Sequence, residues 1–180
     1  LSIGIAFLTA FMFMARDYMA QGQRMLVQSA VLNLEMYKNG VRAALMNPES
    51  YSATINLAAN GDLLLCLNDP TYICPTGARP LTIVTVRGCS TGACEVFANP
   101  NQGLRFDLGG TGGFTCSSFS VVAGTDSCPF QYAFTWTPDC PPVGVCRKPR
   151  IVVNGTLQFS PGMNTFPFKA TRYSFVTALN

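Results

Sequence analysis

Eight cysteines and no histidine are the residues whose chemistry is most constrained in this 180-residue chain. Without an imidazole there is no Ser-His-Asp or Cys-His arrangement for nucleophilic catalysis and no histidine to ligate a metal. The cysteines then have three uses open to them: disulfides, a zinc site, or free thiols. Taken by nearness, the pairs are Cys66/Cys74, Cys89/Cys94, Cys116/Cys128 and Cys140/Cys146, with seven, four, eleven and five residues between them. Structural zinc ligands usually sit two to four residues apart and are often joined by histidine. Four disulfides suit this set better, although eight cysteines allow 105 full pairings. Each short bridge is expected to stabilise the fold by about 2–3 kcal/mol through the unfolded chain it restricts. Disulfides also place the body of the protein in an oxidising compartment outside the cytoplasm.

The remaining chemical motifs favour plain structural readings. Asp107-Leu-Gly-Gly-Thr-Gly-Gly113 is glycine-rich but lacks the lysine and following helix of a phosphate loop, and reads as a flexible turn. Asn60-Gly61-Asp62 offers two oxygen-bearing side chains to calcium, yet the same residues make an ordinary turn. Asn154-Gly155-Thr156 matches the glycosylation sequon and equally well a hairpin turn. Arg147-Lys148-Pro149-Arg150 is the one cationic cluster; it reads as a solvated loop, and no nucleic-acid partner is expected. Carboxylates are sparse and unpaired in sequence. No catalytic residue, metal or cofactor is predicted.

These residues must be carried by a scaffold, and the scaffold begins with an unusual segment. Leu1–Ala15 is uncharged and nearly all apolar, with Leu1, Ile3, Ile5, Phe7, Leu8, Phe11, Phe13 and Met14 as its large side chains. As a helix it would span about 22 Å, short of a bilayer core of roughly 30 Å. Arg16 and Asp17 follow, either as a charge pair within or between subunits or as a marker of the membrane surface. Beyond them Val27, Ala30, Val31, Leu34, Val41, Ala44 and Leu45 recur at helical spacing, and Gln28, Glu35, Lys38, Asn39 and Arg42 mostly occupy other faces. Gly22 and Gly40 are positions for bends, and Asn47-Pro48 is the natural stop. The pattern predicts one helix over 1–47, about 70 Å long. Residues 1–20 would project for membrane insertion or assembly, and 21–47 would dock on a head domain.

Residues 48–180 form that disulfide-rich β head. Predicted strands are Leu63–Leu67, Leu81–Arg87, Leu104–Leu108, Phe114–Ala123, Phe130–Thr137, Arg150–Val153, Thr156–Phe159 and Arg172–Ala178. Asn154-Gly155 between two apolar runs signals a type I′ hairpin. In Phe130–Trp136 every second residue is aromatic, which predicts one buried sheet face. The expected class is α+β: a long N-terminal helix, apolar then amphipathic, packed on an antiparallel sheet with disulfide-pinned loops. Charged residues are only 12% of the chain, with net charge +3, against about 25% in soluble domains, so much of the surface is neutral or covered.

An apolar then amphipathic N-terminal helix followed by a cysteine-bearing sheet resembles the type IV pilins and pseudopilins. The residues that carry the resemblance are Leu1–Ala15 and the stripe through Leu45, and Cys140/Cys146 looks like the bridged loop such proteins carry toward the C-terminus. The resemblance implies a non-enzymatic structural subunit of a bacterial cell-surface filament. Identical copies would assemble through their apolar stalks after leaving the inner membrane, and the processed chain would have no leader peptide. The family's glutamate at the fifth position is Ile5 here, as in certain minor subunits. The alternatives are a minor pseudopilin of a secretion-system filament and a monomeric membrane-anchored adhesin.

Overall fold

Phe130, Tyr132, Phe134 and Trp136 are all buried on one face of a single strand, and the rest of the molecule is laid around their rings. The structure is a computed structural model that describes residues 21, 27–85, 95–105, 115–117, 119–120, 122, 128–140, 146, 149–161 and 169–179. Helix α1 occupies 27–46. It is followed by α2 (Pro48–Ile55), a 3-10 turn (Ala58–Asn60) and α3 (Gly61–Asn68). The strands are β1 (Arg79–Pro80), β2 (Ile83–Thr85), β3 (Glu95–Ala98), β4 (Asn101–Leu104), β5 (Thr115–Cys116), β6 (Phe130–Asp139), β7 (Arg150–Phe159) and β8 (Phe175–Leu179).

The main sheet is antiparallel, in the order β5-β4-β6-β7-β8. Strand β6 pairs with β7 from Phe130↔Phe159 to Asp139↔Arg150. Its other edge is shared by β4, at residues 130–133, and β1, at 135–136. Strands β2 and β3 make a separate two-stranded ladder with an irregularity between Ile83 and Val84. Helix α2 docks on that ladder through the Thr54 hydroxyl, which accepts from the Val84 amide at 3.2 Å.

The core lies between α1 and the sheet. Ala30, Leu34, Val41, Ala44 and Leu45 are buried, as are Ile151 and Val153 of β7 and Phe175 of β8. Tyr37 stacks at 5.6 Å on both Phe97 and Tyr132. The Tyr132 hydroxyl donates to the carbonyl of Tyr173 at 2.9 Å, which satisfies a buried polar group and ties β6 to the segment entering β8.

Several expectations are corrected. The long, initially apolar N-terminal helix is replaced, among the described residues, by a helix over 27–46, about 30 Å long. One side of that helix is spent on the core and its flanks carry Glu35, Lys38 and Arg42, so it is a docking helix. No described helix is long and apolar enough to cross a membrane. The class that stands is a mixed, sheet-rich α+β fold. Gly40 does not loosen α1, which runs through it; a Cβ there would lie 3.1 Å from Cζ of Phe97. Asn47-Pro48 does end α1, and it also starts the next helix: Asn47 Oδ1 accepts from the amides of Glu49 and Ser50, both at 3.0 Å.

Leu63–Leu67 is helical, not extended. Its uninterrupted apolar run has no period to separate strand from helix, and in α3 it is Leu63 and Cys66, three apart, that are buried. Asn154-Gly155 makes no turn; both residues sit in mid-strand, opposite Thr135 and Phe134 on one side and Val176 and Phe175 on the other. Glycine is needed at 155 for space, because a Cβ would lie 2.4 Å from Cε1 of Phe175. The hairpin turns instead between Asp139 and Arg150, where Cys140 and Cys146 are bridged. The strand expected over Leu104–Leu108 lies at Asn101–Leu104. Residues 170–172, at the expected start of the last strand, form a 3-10 turn.

Candidate assembly surface

Three faces of α1 can be read from its side chains. The inward stripe is the buried set just named. The flanks carry its charges, and those charges lean on the head. Lys38 Nζ is 2.6 Å from Glu35 and 5.8 Å from the centre of the Tyr173 ring, and the Arg42 guanidinium is 5.3 Å from the Phe175 ring. Such contacts are each worth about 0.5–1 kcal/mol at exposed sites. Their larger consequence is positional, since they draw every charge of this helix away from its outermost line.

That outermost line holds Gln28, Leu32, Met36, Asn39, Ala43 and Met46, all exposed. From Leu32 onward the spacing alternates four and three, the spacing by which helices pack side by side. Leu32, Met36 and Met46 are 64%, 66% and 70% exposed. Covering each would be favourable by about 1–2 kcal/mol, scaled from full burial of such side chains. The helix therefore carries large apolar side chains on two opposite faces, and among the described residues only the inward one is covered. The sequence signal for the second face was present in Leu32, Met36 and Met46. In the sequence Gln28, Glu35, Lys38, Asn39 and Arg42 are spread over the faces outside the inward stripe, so Leu32, Met36 and Met46 do not stand out as a separate line.

The residues expected to build the projecting stalk (Leu1, Ile3, Ile5, Phe7, Leu8, Phe11, Phe13 and Met14) lie outside the described residues, as do Arg16 and Asp17. The structure contains the disulfides Cys66–Cys74, Cys116–Cys128 and Cys140–Cys146, with Cα separations of 5.0, 5.8 and 5.2 Å. Cys89 and Cys94 lie outside the described residues, as do residues 107–113 of the glycine-rich run and Arg147 and Lys148 of the cationic cluster. Asn60 is buried and engaged on all sides. Its Nδ2 donates to the carbonyls of Thr54 and Thr82, both at 2.7 Å, and its Oδ1 accepts from the Thr82 amide at 3.0 Å. Its side chain serves as a bracket between α2 and β2 and is not available to calcium.

Compared with known proteins, the chain matches no family model, no curated protein and no solved structure.

Proposed function

We infer that this chain is a structural subunit of an extracellular filament of the type IV pilin kind, in which many copies associate side by side. The observation that carries this reading is the second apolar face of α1, directed away from the subunit's own core. Among the described residues nothing covers Leu32, Met36 and Met46, and a filament would cover them. The uncharged sequence Leu1–Ala15 supports the same reading, because lipid and the packed interior of an assembly are similar surroundings for such side chains. The three disulfides suit a subunit that works outside the cytoplasm.

In this reading the subunit performs no chemistry. Its cross-linked sheet forms the outer coat, and the ridge of α1 is the contact surface. Electron microscopy of material sheared from the cell surface tests it. Filaments composed mainly of this chain are the expected result. Chain recovered only from membranes, without filaments, overturns it in favour of a tethered adhesin, and chain present only as a trace component of other filaments favours a minor subunit.

A further inference from the structure

A cleft of about 400 Å³ opens between the 58–60 turn, the first turn of α3 and β1, and shares no residue with the ridge of α1. That is near the lower end of the volumes that hold small ligands. Leu65, 43% exposed, supplies the apolar lining in front of the buried Trp136, and Asp62 and Arg79 supply opposite charges. Both charged side chains belong to exposed residues, and among the described residues neither makes an ion pair. Asp62 Oδ1 accepts from the Tyr72 hydroxyl at 3.2 Å, which leaves most of the carboxylate's acceptor positions available. Arg79 stands directly opposite Trp136 in the β1–β6 pairing.

The frame around these groups is cross-braced by side-chain hydrogen bonds and a disulfide. Asn60 brackets the turn to β2 as described, and the Cys66–Cys74 bridge ties the end of α3 to the segment bearing Tyr72. Burial and the Asp62 charge push the Tyr72 phenol up, and Arg79 opposes them, so both charges are felt at one hydroxyl.

We propose that this cleft binds a sugar acid: a pyranose ring whose carboxylate pairs with Arg79 and whose hydroxyls donate to Asp62, with its apolar face toward Leu65. The two charges favour a ligand that carries an anionic group and a hydrogen-bond donor together. A simple anion meets Arg79 but is repelled by Asp62, and a simple amine meets the reverse. A neutral apolar molecule would desolvate both charges without replacing their hydrogen bonds. A neutral sugar satisfies Asp62 and leaves the guanidinium without the carboxylate that its planar donor fork matches best. A hydroxylated ring bearing one carboxylate satisfies both charges at once and also covers Leu65; an amino-acid zwitterion meets the same two charges without a ring, and glycine is its test.

Trp136, the chain's single tryptophan, lines the cleft and serves as the reporter. The full chain is titrated with D-glucuronate, and in parallel with D-glucose, acetate and glycine. Tryptophan emission is followed together with the amide resonances of Gly61 and Asp62. The expected result is saturable binding of glucuronate at least tenfold tighter than of any of the other three. Arg79→Gln should reduce that affinity to the glucose level, and Asp62→Asn should weaken it at least fivefold. Both positions are exposed, and unchanged melting of the variants checks that they fold. Absence of a saturable change in every signal overturns the proposal, and so does equal binding of acetate or glycine. The outcome is independent of filament formation, since the cleft shares no residue with the ridge of α1.

Discussion

At the scale of single residues, close approach and burial decide most of what this fold tolerates. Gly155 lies under the Phe175 ring, and that ring is itself held among Tyr132, Phe134 and Arg42. Gly155→Ala therefore forces β7 and β8 apart, and a loss of about 1–3 kcal/mol is expected in urea unfolding followed by Trp136 emission. Burial also pushes the phenols of Tyr37 and Tyr132 above their ordinary value of 10.0; for Tyr132 the nearby Glu35 charge adds to the effect. In the unfolded chain these phenols ionise near that ordinary value, whereas the folded state keeps their protons. Stability is thus unaffected below about pH 9 and falls as the pH rises beyond 10, because the unfolded state then binds fewer protons. Urea midpoints measured from pH 8 to 11.5 check this. Among the described residues the Tyr37 hydroxyl has no hydrogen-bond partner. Tyr37→Phe should accordingly be neutral to stabilising by up to about 1 kcal/mol at pH 8 and should flatten the alkaline decline, an outcome opposite to that for a satisfied tyrosine.

At the scale of elements, Asn47 is the joint on which α1 and α2 turn. Its side chain takes two amides that helix α2 leaves unpaired at its start. Asn47→Ala is expected to cost about 1 kcal/mol in urea unfolding, whereas Asn47→Asp, which keeps the acceptor, should cost less than half of that. The same joint shows what the sequence made legible. The α1 stripe, the break at Asn47-Pro48 and the aromatic alternation of β6 each follow from a local pattern that the core reinforces. Three of the predicted cysteine pairs are also present, because short separations suit bridges within or beside one turn. What was misread depended on partners distant in the chain. Asn154-Gly155 has the local chemistry of a turn, but β6 supplies ten consecutive partners for β7, and Phe175 needs the space that Gly155 leaves. Leu63–Leu67 became helical because its buried residues, Leu63 and Cys66, are three apart and a disulfide closes behind them. The outer ridge of α1 was legible only once Lys38 and Arg42 were seen leaning toward Tyr173 and Phe175.

At the scale of the whole molecule, the size of that ridge argues for the kind of assembly it serves. A helix of this length laid along one neighbour buries roughly 600 Å² in total, below the 1,000 Å² or more that a stable isolated pair needs. One ridge contact alone therefore does not hold a dimer. The same contact repeated with neighbours on both sides, and joined to coverage of the apolar sequence Leu1–Ala15, gains by multivalency what each contact lacks. This separates two consequences of one substitution. Leu32→Glu combined with Met36→Glu places carboxylates on two positions about two-thirds exposed and outside the buried core, so unfolding free energy should stay within about 1 kcal/mol of the parent chain. Incorporation into filaments should fall at least tenfold, because each neighbour contact then loses apolar cover and desolvates a charge. Leu32→Met with Met36→Leu, which keeps the apolar surface, should assemble normally. Normal filaments from the glutamate variant would show that assembly uses a different face and that the ridge contributes nothing to it.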